Sequence, residues 1–350
     1  MSYTRERHLN FLELTQPYVI AEAGINHNGN LETAFKMIET AKKCGANAIK
    51  FQTFKAEEFC GDPNQMFTYT SQGESVTESM LGMFKRMEFL EHEWHQIKNH
   101  ADSEGIEFLS TPQNVSDLEL LLKLGVRALK VGSDDLTNEP LIHEYSLTGL
   151  PLILSSGMSD ESEIEAALNV SGFHEGKMVA LLVCTSQYPT PPQDVNIARI
   201  LTLKSKYPRL AIGFSDHTEG NEAAILSVGL GALIFEKHFT LDHQLPGPDH
   251  WFSPNPVELK NWVEAIHLAY QMKGTGALVP SKAEMEMRAL ARRSVTVVSQ
   301  IKKGEKFSLL NLGQRRPGSG IPPKEITKIL GKVAQKDLNV GHQLDFKDIG

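Results

Sequence analysis

Two histidines are placed for shared work. His217, in GFSDHTEG, and His238, in FEKHFTLD, each stand at the polar end of a short apolar run. Neutral imidazole is a common ligand for divalent transition metals. If the two runs are neighbouring strands, both rings enter one coordination sphere, and two protein ligands with open positions suit Lewis-acid activation of a carbonyl. The other histidines share no such placement; His27, in GINHNGN, either lines the site or caps a turn.

Lys50 and Lys130 close comparable runs, and Thr111, Ser133, Ser155, Ser186 and Ser215 stand at similar exits. Lysines and hydroxyls together make a cationic, donor-rich wall of the kind a phosphate and a carboxylate need, the lysines as point charges and the hydroxyls completing the oxygen lone pairs. Any one serine could instead cap a helix, those of SSGMSD and FSDHTEG among them, so the cluster carries the reading and no single member does. Glu22 ends an otherwise apolar first run. A carboxylate there is costly to bury unless it meets a metal, a lysine or a substrate proton, which leaves general base, metal helper and lysine partner open.

The elements that must position these groups repeat. Apolar, β-branched runs bounded by turn residues occur at YVIAEAG near residue 18, NAIKFQT near 47, IEFLSTP near 106 and ALKVGS near 128. Four more follow, at PLILSSGM near 151, VALLVCTS near 179, AIGFSDH near 211 and ALIFEKH near 232. Between them lie amphipathic stretches such as LETAFKMIETAKKCG, SDLELLLKLG and ESEIEAALNV. Strand and helix in alternation predict a parallel sheet with helical crossovers, and eight repeats predict a (β/α)8 barrel, with an open doubly wound sheet as the competitor. Nearly every run turns polar in its last positions, as a barrel enzyme requires, because such sites are built at the C-terminal ends of the strands. The polar stretch from Glu57 to Arg86 interrupts the repeat and is long enough for an active-site lid or a subunit contact. Past Gly274 the texture changes, and IKKGEKFS reads as a hairpin signal. The expected organisation is a barrel over about 1–280, a linker near 275–288 and a small module over 288–350.

Composition narrows the function classes. Of 350 residues, 41% are hydrophobic and 22% charged, which is ordinary globular usage. A net charge of -8 offers no basic field for nucleic acid. No run approaches the roughly 18 apolar residues of a membrane helix, and MSYTRERHLNFLELTQ lacks the form of a signal peptide, so a cytoplasmic address is expected. Cys44, Cys60 and Cys184 fit neither a disulfide framework nor a CxxC metal site.

The blocks IAEAGINHNGN, AIKFQTF, LSTPQ, LKVGSDDL, ILSSGM, CTSQYPTPPQDVN, IGFSDHTEG, EKHFTLD, LPGPDH and RRPGSGI, in this order and spacing, resemble the N-acylneuraminate (sialic acid) synthase family. The resemblance runs from about residue 17 to the C-terminus. It implies a TIM barrel followed by an antifreeze-like (SAF) domain in a domain-swapped homodimer. It also implies condensation of phosphoenolpyruvate (PEP) with an N-acylated aldose, with manganese, magnesium or cobalt as cofactor, in lipopolysaccharide or capsule biosynthesis. The expected aldose is N-acetylmannosamine, giving N-acetylneuraminate. The alternative is 2,4-diacetamido-2,4,6-trideoxymannose, giving N,N'-diacetyllegionaminate. By the same resemblance His217 and His238 match metal ligands, and Glu22 matches a glutamate that assists chemistry beside Lys50 and Lys130. Lys50, Thr111, Lys130, Ser133, Ser155 and Ser215 match the PEP-binding set, which Ser186 joins although some bacterial members carry Asn there. Gln52, Asp135, Tyr188 and Asp249 match sugar-side positions, and Arg316 matches an arginine that reaches the N-acyl group from the partner's small domain. SDD at 133–135 replaces the frequent SGE, and SSGM replaces STGM. Two rivals stand beside this reading: another PEP-condensing keto-sugar synthase, which would need a second basic cluster for a sugar phosphate, and a non-catalytic sugar-binding protein.

Overall fold

The structure, a computed structural model, describes residues 8–350; the first seven residues of the polar N-terminal stretch lie outside it. In chain order the strands are β1 (Tyr18–Gly24), β2 (Ala48–Thr53), β3 (Met66–Ser71), β4 (Glu74–Ser79), β5 (Glu107–Pro112) and β6 (Leu129–Val131). They continue with β7 (Leu152–Ser155), β8 (Val179–Cys184), β9 (Ala211–Ser215), β10 (Ile234–His238), β11 (Ser294–Val297) and β12 (Leu312–Arg315). All eight apolar runs are strands of one sheet, ordered β5-β2-β1-β10-β9-β8-β7-β6. Every ladder in it is parallel. Its two end strands, β5 and β6, also lie side by side, so the sheet is a nearly closed TIM-like barrel.

Alternation along each strand divides the core. Val19, Phe51, Phe108, Leu154, Val183 and Phe235 pack outward against the helices, while Ile20, Ala48, Leu109, Ile153, Leu182 and Ile234 fill the barrel interior. Phe11 belongs to that inner cluster and lies with the strand N-termini, where it plugs the barrel from below. Two residues further along each strand the same inward face turns polar, because period two carries Ile20 to Glu22, Ala48 to Lys50 and Ile234 to Glu236. Several helices start on side-chain caps: Asn30, Asp160 and Asn255 each accept from backbone N–H groups of the following turn.

The stretch between β2 and β5 has structure of its own. β3 and β4 form an antiparallel hairpin whose two turn residues, Gln72 and Gly73, both have positive φ, 54° and 81°, the geometry that matches strand twist in a two-residue loop. Its tip is tied down: Gln72 Nε2 donates to the Gln244 carbonyl at 2.8 Å, and the Gly247 amide donates to Ser71 Oγ at 3.0 Å. The hairpin is thus strapped to the loop that follows β10. Below it the helix Met80–Met87 buries Met83 and Met87 against Ile25 and Phe54.

The chain divides into two compact units, the second over Thr275–Gly350. The helix Lys282–Ala291 occupies the second half of the stretch expected as linker. In the second unit β11 pairs with β12 around a core of Val295, Val297, Ile301, Phe307 and Leu312. IKKGEKFS makes its turn but not a hairpin with itself. Its flanks, Ile301 and Lys306, bridge instead to Leu338 and Val333, because the module pairs segments distant in sequence. Asp348 is fully buried there, 2.8 Å from Lys336 Nζ and 2.7 Å from His342 Nε2, and accepts from the Asp345 amide at 2.9 Å. Burial works against its charge, but Lys336 and His342 outweigh it and hold the carboxyl at about 2. A depressed carboxylate stabilises the fold above its unfolded value of about 4, and that contribution is lost as pH falls toward 2. Asp348→Asn is therefore expected to cost about 2 kcal/mol at pH 7. In urea unfolding of the full chain the gap from the parent should be the same at pH 6 and smaller at pH 3; a gap independent of pH would remove the ion pair as its cause.

Candidate active site

At the C-terminal ends of the barrel strands lies a cavity of about 480 Å³. Its floor is a buried array of four charges on inward-facing positions. Lys50 Nζ is 2.9 Å from Glu22 Oε2 and 3.8 Å from Glu236 Oε2, and Lys130 Nζ is 3.8 Å from Glu236 Oε1. The register places them there, with Glu22 opposite both Lys50 and His238. Burial of the Glu22 carboxyl pushes it up, Lys50 pulls against this, and Glu236 adds to it. Glu236 goes the other way: burial opposes its charge, but Lys130 and Lys50 together hold it low. Burial lowers Lys130 despite Glu236, whereas for Lys50 the two carboxylates outweigh burial and raise it. Two carboxylates of unlike basicity between two ammonium groups form a floor that can hold an anion and exchange a proton.

Hydroxyls ring this floor. Thr111 Oγ1 accepts from Lys50 Nζ at 3.1 Å, and Ser215 Oγ donates to Glu236 Oε1 at 3.1 Å. Ser133 Oγ accepts from the Gly157 amide at 3.0 Å. A Cβ on Gly157 would lie 2.3 Å from Ser186 Oγ and 2.7 Å from Ser133 Oγ, so only glycine lets these two hydroxyls converge. Ser155 Oγ is buried without a hydrogen-bond partner. A buried hydroxyl left open in a polar cavity is a donor awaiting a ligand.

Above the floor the imidazoles of His217 and His238 have ring centroids 5.6 Å apart. His217 Nδ1 donates to the Thr185 carbonyl at 2.8 Å, which leaves Nε2 for a ligand. His238 Nδ1 is buried without a hydrogen-bond partner, 4.0 Å from Asp249 Oδ2. Burial, with His217 and Lys50 adding to it, holds His238 well below the usual imidazole range and so neutral. Burial also opposes a charge on His217, but the Cys184 sulfur 3.8 Å away and the Thr185 carbonyl raise it. Asp249 is pushed up to about 6 by burial.

A description of the NeuB family fits residues 37–277, and one of the SAF domain fits residues 292–350. The chain belongs to the NeuB family. Along most of its length this NeuB-family chain is 39% identical to the N,N'-diacetyllegionaminic acid synthase of Legionella pneumophila, covering 95% of this chain and 94% of that one. It is 41% identical to an uncharacterized protein of Methanocaldococcus jannaschii over 91% of this chain and 90% of that one. The crystal structure of the N-acetylneuraminic acid synthetase from Leptospira borgpetersenii, in complex with citrate, superposes with a TM-score of 0.70 at 37% identity, covering 78% of this chain and 90% of that one.

The NeuB-family barrel brings together Glu22, Lys50, Thr111, Lys130, Ser133, Ser155, Ser186, Ser215, His217 and His238 around one cavity, with Gln52, Tyr188 and Asp249 at its sides. Asp135 does not join them. It sits in the turn after β6, accepting from Asn138 Nδ2 at 3.0 Å, and its neighbour Asp134 lines the cavity instead. Arg316 lies in the C-terminal unit, just past β12. His27 caps a turn, its Nδ1 accepting from the Gly29 amide at 3.0 Å, and packs 4.4 Å from the Phe89 ring. Sequence reasoning placed Glu236 at a polar strand exit but gave it no role, and among the other cavity residues it left unassigned are Asp134 and three aromatic residues of the insert, Phe59, Phe67 and Phe84. Alternation in IFEKH, with 234, 236 and 238 on one face, is the signal that sets Glu236 inward below His238.

Among the described residues no group of three or more His, Cys, Asp or Glu side chains is arranged to hold a metal ion. His217 and His238, one with Nε2 open and one with an orphaned buried Nδ1, nevertheless fit a divalent cation held by two protein ligands, with its other positions left to substrate or water. No helix among the described residues is long and apolar enough to cross a membrane.

Proposed function

We propose that the chain condenses PEP with an unphosphorylated N-acylated aldose to give a nine-carbon sialic-acid-type sugar and phosphate. The observation that carries this is the floor of the cavity, where Lys50 and Lys130 alternate with Glu22 and Glu236 beneath two open histidines. Lys50 and Lys130 hold the phosphate and carboxylate of PEP, with Thr111, Ser133, Ser155, Ser186 and Ser215 completing its oxygens. That binding fixes C3 of PEP below the aldehyde of the open-chain sugar, whose flanks meet Gln52, Tyr188 and Asp249. The carbon-carbon bond forms from C3 to the aldehyde carbon, whose oxygen takes up a proton. Water then adds at C2 and yields a proton, and the C2–O bond breaks to release phosphate. Glu22, raised toward neutrality and in contact with Lys50, is the group that gives and takes protons. A divalent cation on His217 and His238, manganese first and magnesium or cobalt as alternatives, would polarise the aldehyde oxygen.

The cations lining the cavity among the described residues are Lys50 and Lys130, both engaged with carboxylates on the floor. No second basic cluster meets a sugar phosphate there. The outer wall is apolar instead: Phe59, Phe67 and Phe84 come from the strapped insert, with Phe59 and Phe84 rings in edge contact at 5.0 Å. N-acetylmannosamine is the simplest aldose for such a site. The aromatic wall favours its 2,4-diacetamido-2,4,6-trideoxy counterpart, whose C6 methyl takes the place of a hydroxyl that would need a partner. Phosphate release from PEP, measured with each sugar in turn, tests both statements. The trideoxy sugar is expected to show the higher kcat/KM, by about 10-fold or more. Preference for N-acetylmannosamine would return the assignment to N-acetylneuraminate, and turnover with neither sugar would end the substrate claim.

A further inference from the structure

We infer that Asp216, Lys237 and Trp262 form a positioning clamp that fixes His217 against His238; the inference rests on the metal reading above. These three side chains lie on the far side of the barrel wall from the cavity, where β9 and β10 meet the helix Pro256–Lys273 and where the neighbouring positions, Phe214 and Phe235, are apolar. Asp216 is fully buried and Lys237 is 4% exposed. Asp216 Oδ2 accepts from Lys237 Nζ at 2.9 Å and from Trp262 Nε1 at 2.8 Å. Asp216 Oδ1 accepts from the Thr218 amide at 2.9 Å and from Thr218 Oγ1 at 2.7 Å. Lys237 Nζ donates a second bond, 2.6 Å long, to the Thr218 carbonyl.

A buried ion pair seldom stabilises a fold more than a well-packed apolar pair of the same volume, so its value here lies in fixing an arrangement. The arrangement needs fixing at this point. The β9–β10 ladder ends at Ser215 opposite Glu236, so His217 stands beyond the sheet while His238 is still within β10. Lys237, the residue before His238, grips both residues that flank His217, Asp216 by its carboxylate and Thr218 by its carbonyl. The two imidazoles are thereby coupled through one ammonium group. Metal ligands must be held to within about 0.5 Å of their working positions, and loss of an orienting partner lowers metal affinity by about 10- to 100-fold.

The test is manganese binding to the chelator-stripped full-length protein, read from the electron paramagnetic resonance of free Mn2+, alongside thermal unfolding. The variants are Asp216→Asn, Lys237→Met and the two together, the last leaving no unpaired charge in the wall. His217→Ala serves as a ligand-loss control. Each clamp variant is expected to bind Mn2+ about 10- to 100-fold more weakly than the parent, the double variant doing so with an unfolding temperature close to the parent's. A folded double variant, or a folded Asp216→Asn, with the parent's affinity would overturn the clamp and leave the metal reading intact. A parent that binds no Mn2+, or a His217→Ala protein that binds as well as the parent, would overturn the metal reading and the clamp with it.

Discussion

Replacing Lys50 with methionine is expected to lower PEP-dependent phosphate release by about 10²- to 10³-fold, the loss seen when one preorganised charge donor is removed from a dry site. Lys50 is 3% exposed, and it touches Glu22, Glu236 and Thr111 at once. Without it the PEP anion meets Lys130 alone, over the Glu236 carboxylate that repels it. Both terms of kcat/KM for PEP should therefore suffer, while the KM for the aldose, bound further out, should change little. Glu22 loses its neighbouring cation, takes up a proton and relieves part of the strain on the fold, so the protein should remain folded with a lowered unfolding temperature. Steady-state kinetics with each substrate varied in turn decides the matter: a defect confined to the aldose KM would move Lys50 out of the PEP site.

Chelation is expected to abolish turnover, by about 10³-fold or more, and added Mn2+ to restore it, because polarising a carbonyl with a metal ion is worth several kcal/mol. His238→Ala should not be restored. Its Nδ1 is buried without a hydrogen-bond partner, so the alanine protein loses no internal hydrogen bond and should stay folded while losing bound manganese. Metal content by atomic emission, with turnover before and after chelation, checks both parts. A stripped protein working at the parent's rate would remove the cation from the reaction and leave the two imidazoles to act as hydrogen-bonding groups.

The barrel was legible because its signal is repeated: eight apolar runs, nearly every one polar at its exit, fix strand number, direction and the polar end of the barrel. The individual positions were less so. Asp135 and Asp134 are adjacent in a turn after a three-residue strand, where period-two alternation has already ended, so the sequence pattern could not say which carboxylate faces the cavity. The insert was read as a long polar stretch fit for a lid or a subunit contact, without secondary structure of its own, although MFTYTSQGESVTES carries a two-residue turn between β-prone flanks. Of its aromatic wall, Phe67 lies on that hairpin and Phe59 and Phe84 on the flanking helices, and the hairpin is held by the tie from Ser71 and Gln72 to residues 244–247, a contact distant in sequence. In the C-terminal module the turn of IKKGEKFS was visible and its partners were not, for the same reason.

The apolar plug of Ile20, Ala48, Leu109, Ile153, Leu182, Ile234 and Phe11 makes the barrel a well with a closed bottom. Whatever enters such a well first lies deepest, and whatever lies deepest departs last. Under the function proposed above, PEP seated on the floor lysines would have to arrive before the aldose that covers it. By the same proposal the phosphate freed from PEP would be left beneath the nine-carbon product and would follow it out. Among the described residues the same seal closes the barrel from below, so the water that the proposed reaction consumes at C2 would descend from the mouth, by the door through which the substrates come.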